Sequence, residues 1–184
     1  MRRKTNRLDL KLYQGEKVYF VTSTTQVKRP VFLSTHLVSF HEDVLKKYSL
    51  KHGFEVIVFC FMPDHLHLLL AGAAEQSYLT RFVKDYKQNT GFAYRRETGL
   101  NLWQKSYYDH ILRKDEIIER VAWYILENPV RRNLVEKPED YPFSGSLVYG
   151  REIFNLSACN YGSGNLQNYK KSVAETFRFP CRFP

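Results

Sequence analysis

The chain has 184 residues, with 28 Lys and Arg against 19 Asp and Glu, a formal net charge of +9 and a sequence pI near 9.4. That length gives one domain with its own core and room for an appendage. The charge points to a polyanionic partner, nucleic acid before an anionic membrane surface, and no apolar run approaches the roughly twenty residues that span a bilayer.

The basic start "MRRKTNRLDLKLY" has no apolar stretch behind it, so it does not read as a signal peptide and the expected location is cytoplasmic. Cys60, Cys159 and Cys181 follow no metal or disulfide spacing and are expected to be free thiols. Lys17 to Thr25, "KVYFVTSTT", is rich in aromatic and β-branched residues and predicts a strand. Ser34 suits the N-cap of a helix running to about Leu50, with Gly53 ending it. His36, His41 and His52 on and beside that helix read as structural or solvated.

Phe54 to Met62 is apolar at nearly every position and predicts a central strand; Pro63-Asp64 predicts a turn into a second strand from about His65 to Ala71. A helix follows from about Glu75 to Glu97, with Tyr78, Leu79, Phe82, Val83, Tyr86 and Ala93 at helical spacing. Its cations Arg81, Lys84, Lys87, Arg95 and Arg96 lie mostly elsewhere, either as a solvated face or as phosphate contacts. Ser106 to Arg113 alternates like a strand. A last helix begins near Asp115, a plausible N-cap, and carries Ile118, Val121, Ala122 and Ile125 on its stripe until Pro129 stops it. The order β-α-β-β-α-β-α predicts an α+β, ferredoxin-like (split β-α-β) fold: a four-stranded antiparallel sheet with helices on one face, plus a terminal helix. Residues 1–150 form the expected domain, and 151–184 a polar tail or small appendage.

Within "FMPDHLHLLL", His65 and His67 project from one face of a strand while Leu66 and Leu68 point the other way. Two imidazoles side by side offer a bidentate metal site, although His-x-His also occurs as a pair of half-buried polar residues. In "VAWYILENPVRR", Tyr124 and Asn128 stand one helical turn apart, flanking the apolar stripe. They read either as a nucleophile beside an amide ligand for Mg²⁺ or Mn²⁺, or as a core-edge aromatic and a C-cap before proline.

"MPDHLHLLL", "LWQKSYYDHILR", "YILENPVRRNLV" and "YPFSGS" together resemble the HUH single-tyrosine transposases, most closely the REP-associated branch, over about Arg7 to Ser146. The resemblance implies that His65, His67 and Asn128 hold the divalent metal and that Tyr124 attacks a single-stranded DNA phosphate, leaving a 5′-phosphotyrosine link and a free 3′-OH. Asn at 128, where insertion-sequence members often carry Gln, fits the REP-associated branch. It implies as partner a single-stranded DNA bearing hairpin repeats with a guide sequence, a monomer or homodimer, and a nucleoid-associated location. Arg2, Arg3, Lys4, Arg81, Lys84 and Lys87 are the expected nucleic-acid contacts, His110 is a candidate neighbour of the metal ligands, and Asp64 is assigned only its turn. A tyrosine phenol ionises near pH 10, so such chemistry needs a cation close by.

Three rivals stand beside this reading. An RNA-recognition module lacks its aromatic signature here, and a two-histidine phosphoesterase would need two His-x-Ser/Thr motifs. A domesticated protein that mainly binds hairpins, with little strand transfer, differs in activity and not in sequence pattern.

Overall fold

The computed structural model describes residues 13–113 and 117–158. The chain divides into two compact units, Met1–Phe154 and Asn155–Pro184. Arg2, Arg3 and Lys4, the expected N-cap Asp115, and the appendage beyond Ala158 lie outside the described residues.

The first unit contains β1 (Val18–Thr24), α1 (Thr35–His52), β2 (Phe54–Met62), β3 (His65–Gly72), α2 (Leu79–Thr98), β4 (Tyr108–Ile111), α3 (Ile118–Leu126), α4 (Asn128–Arg131) and β5 (Ser144–Gly145). Local signals set several of these ends. The Ser34 hydroxyl accepts from the Leu37 N–H at 3.4 Å to open α1, and Gly53 closes it at φ +66°, a conformation that costs other residues energy. The start of α2 comes later than Glu75 because the residues before it are committed elsewhere: Tyr78 bridges Gln14, and the Ser77 hydroxyl donates to the Gly53 carbonyl at 2.6 Å.

The sheet has the order β4-β1-β3-β2-β5, with every neighbouring pair antiparallel. β1 and β2 are therefore parallel with β3 inserted between them, the split β-α-β arrangement. Five strands replace the expected four. β5 is two residues long, too short to show any alternation, and it pairs with Phe59 and Cys60 at the sheet edge. Gly145 is fitted to that edge, since a Cβ there would lie 3.2 Å from the Phe59 ring.

Strand alternation divides the sheet into two faces. On one, Tyr19, Val21, Phe59, Phe61, Leu66, Leu68 and Leu70 join Val38, Val44 and Leu45 of α1 and Phe82, Val83 and Tyr86 of α2 in a single core. Each such leucine or phenylalanine contributes about 1.5–3 kcal/mol by leaving water. The opposite face carries Phe20, Thr22, Val58, Cys60, Met62, His65, His67 and Leu69, as the register of β1, β2 and β3 requires. α3 packs on this second face through buried Ala122, Ile125 and Leu126. The helices thus cover both sides: α1 and α2 on one, the terminal helix on the other. Among the described residues, no helix is long and apolar enough to cross a membrane.

Candidate active site

His65 opens β3 and His67 follows two residues later, opposite Thr24 and Thr22 of β1. Their rings lie 4.6 Å apart, and the two Nε2 atoms face each other at 3.0 Å. The remaining ring nitrogens are anchored: His65 Nδ1 to Asp64 Oδ1 at 2.6 Å, and His67 Nδ1 to Thr22 Oγ1 at 2.8 Å. A carboxylate only accepts, so His65 donates from Nδ1 and its Nε2 carries a lone pair. His67 then donates from Nε2 to His65 and accepts the Thr22 hydroxyl proton at Nδ1, which satisfies every atom with both rings neutral. Burial above all, with Arg131, Arg132 and any proton on the adjoining His65 ring adding to it, pushes His67 down to about 3, against the opposing pull of Asp64.

This arrangement suits a divalent cation. Two ligands about 2.1 Å from one octahedral centre, at a right angle, stand roughly 3 Å apart, the spacing of the two Nε2 atoms. As a ligand His67 would carry its proton on Nδ1 in place of Nε2, and Thr22 would serve either tautomer because a hydroxyl both donates and accepts. Among the described residues no three His, Cys, Asp or Glu side chains group as a metal site. An amide oxygen such as that of Asn128 is a further ligand type for Mg²⁺ or Mn²⁺.

Tyr124 lies on α3 and is about half exposed, at 46%. Phe20 links it to the histidines: the Phe20 ring stacks on His67 with centroids 5.5 Å apart and meets the Tyr124 ring edge-on at 6.2 Å. The Arg131 guanidinium lies 4.2 Å from the centre of the Tyr124 ring, donates to the Tyr124 carbonyl, and sits 3.9 Å from Glu127. A phenol, a guanidinium and a pair of imidazoles thus gather on one sheet face within one chain. These are the groups that phosphoryl transfer to a tyrosine uses.

The helix carrying Tyr124 is not continuous through Asn128. α3 ends at Leu126, Glu127 forms its C-cap, and Asn128 opens α4 with Pro129 in its first turn. Proline at 129 has no N–H for the Ile125 carbonyl, and the Asn128 amide takes that place, donating to the carbonyls of Tyr124 at 2.9 Å and Ile125 at 3.4 Å. The amide nitrogen does the capping work, and the amide oxygen is the atom left for a cation. Capping and ligation are therefore compatible roles for Asn128.

His110 pairs with Phe20 across β4 and β1, which puts it on the histidine face. The α2 cations are placed differently. Arg81 and Lys84 are exposed on a helix that covers the other face, and Arg81 lies over the Tyr78 ring at 4.5 Å. Lys87 donates to the carbonyls of Gln104 and Ser106, both at 2.9 Å, and burial lowers its ammonium to about 8. Its hydrogen bonds tie down the segment before β4. The sequence reading left out Thr22, Phe20 and Arg131, and it gave Asp64 a turn role only. Asp64 was the one within reach, because a carboxylate preceding a strand histidine can meet its Nδ1; Thr22 and Phe20 needed the strand register.

Residues 16–128 match the family described as transposase IS200 like. A Haemophilus influenzae protein designated a REP-associated tyrosine transposase is 30% identical over 140 residues, 69% of this chain and 78% of that one. The REP-associated tyrosine transposase of Escherichia coli is 25% identical over 128 residues, 68% of this chain and 74% of the relative. Among solved structures, a REP-associated tyrosine transposase bound to a REP hairpin shares the fold with a TM-score of 0.65 at 22% identity, covering 78% of this chain and 82% of that one. The chain belongs to the IS200-like transposase family, in its branch of REP-associated tyrosine transposases.

Proposed function

We propose that this protein nicks and rejoins single-stranded DNA beside hairpins, with Tyr124 as nucleophile and a Mg²⁺ or Mn²⁺ ion held by His65, His67 and the Asn128 amide oxygen. The observation that supports the reading is Phe20, whose ring touches both His67 and Tyr124. When bound, the cation polarises the scissile phosphate and offsets charge on the leaving oxygen.

The protein's own groups do the rest. The Tyr124 oxygen attacks phosphorus and gives its proton to solvent; the bond from phosphorus to the 3′ oxygen breaks, and that oxygen leaves as a free 3′-OH. The product is a 5′-phosphotyrosine link. Attack by a 3′-OH on the same phosphorus reverses the step and frees the phenol, so strands rejoin without an external energy source. Arg131 holds the Tyr124 ring and backbone, so its positive charge lies over the ring of the attacking phenol. His110 borders the ligand pair through Phe20. Arg81 and Lys84, on the far face, serve as outer phosphate contacts for the hairpin, joined by Arg2, Arg3 and Lys4. The solved relative carries a hairpin, which supports that class of partner.

With Mn²⁺ and a single-stranded hairpin oligonucleotide, the wild-type protein is expected to form an adduct that survives SDS and retains label from the 3′ side of the cut. Tyr124→Phe keeps DNA affinity and loses the adduct. An adduct in that variant, or retention of the 5′ label, would overturn the nucleophile; binding without any wild-type adduct would leave a hairpin-binding protein.

A further inference from the structure

Tyr108 opens β4 opposite Thr22, the residue that anchors His67, and so shares the face of the histidine pair. Its ring meets Phe20 edge-on at 6.0 Å, making it the third aromatic, with Tyr124 and His67, arranged around Phe20. Phe20 is half-buried among them, whereas Tyr108 is 59% exposed. Core packing does not account for so exposed a ring in the middle of a chemical site. Among the described residues β4 is the edge strand of the sheet.

We infer that Tyr108 is a stacking platform for an unpaired DNA base adjoining the phosphate that Tyr124 attacks. The inference rests on the nuclease reading and adds to it a base subsite. An exposed ring held on one side by Phe20 has ring surface left for a base, and every base has a matching π-face, so the contact is tolerant of sequence. Stacking one flanking base removes the freedom of the strand on that side of the cut and holds the phosphate between Tyr124 and the histidine pair. Arg131, over the Tyr124 ring, supplies charge for the same strand.

The test uses the single-stranded hairpin oligonucleotide carrying one 5-iododeoxyuridine in its unpaired flank, and the full chain as wild type, Tyr108→Ala and Tyr108→Phe. Irradiation of the wild type is expected to cross-link the base to the peptide containing Tyr108. Tyr108→Ala should weaken oligonucleotide binding roughly tenfold or more, and Tyr108→Phe, which keeps the ring and loses only the hydroxyl, should restore it. Because Tyr108 is exposed, Tyr108→Ala leaves the thermal midpoint near wild type, which separates lost stacking from lost fold. Cross-links confined to other peptides, together with unchanged affinity in Tyr108→Ala, would overturn the base subsite and leave the nuclease reading intact. A wild type that fails to bind single-stranded DNA at all would overturn both.

Discussion

His67 and Leu68 are adjacent in β3, and the sheet separates their side chains. Leu68 belongs to a face whose inward strand residues are apolar apart from buried Ser23, and whose partners are the α1 and α2 stripes. His67 belongs to a face whose β2 side is sealed by α3 and whose β1 and β4 side holds Thr22, Phe20, Tyr108 and His110. Two buried histidines sharpen the contrast. His41, in the first face's core, bonds Tyr86 through Nδ1 at 3.0 Å, and its Nε2 has no hydrogen-bond partner among the described residues. His67 has both nitrogens engaged. A core histidine tolerates one unmade bond because aromatic packing against Phe32, Phe61 and Trp103 surrounds it. A histidine whose two nitrogens are set by separate neighbours is held in position for work.

The contrast breaks most visibly by exchanging those neighbours for alanine. His67→Ala is expected to abolish DNA cleavage while the fold survives, and chelation of the cation from the wild type should do the same; full cleavage in EDTA would refute the metal role. Leu68→Ala should do the reverse. It costs about 2–5 kcal/mol of stability in denaturant titration, while cleavage per folded molecule stays near wild type. If Leu68→Ala instead lost activity at full stability, the division of labour between the faces would be wrong.

Smaller changes test the anchors. Thr22→Val and Asp64→Ala leave both ligands in place and remove the partners that fix their tautomers, so the Mn²⁺ concentration for half-maximal cleavage should rise about 10- to 100-fold. An unchanged requirement in both would mean that the histidines orient themselves.

The smallest effect per step is in pH. Burial holds His41 at about 3, and His67 also stands at about 3, both below the ordinary histidine value. The unfolded chain therefore takes up protons first: the stability contributed by these neutral rings is complete above about pH 6.5 and declines as pH falls from there towards 3. The expected loss is on the order of 1 kcal/mol per pH unit for each group. A thermal midpoint of the metal-free protein that stays flat from pH 7 to pH 5 would contradict it.

Sequence alone determined the elements whose signals are local. The expected Phe54–Met62 strand has the observed bounds, because it is a continuous β-forming apolar run stopped by Pro63-Asp64. α1 keeps its Ser34 and Gly53 caps for the same reason, since capping needs only neighbours a few residues away. Period-two alternation was enough to set His65 and His67 on one face, and the motif order was enough to indicate the family. The tertiary structure decided everything that depends on residues far apart in the chain. It placed α3 on the second face, added β5 at the edge, drew Lys87 into protein carbonyls, and brought Thr22 to His67 across 45 residues of sequence. Phe20 shows why: no local pattern marks it, and only the pairing of β1 with β3 and the packing of α3 make one ring touch both the histidine and the tyrosine.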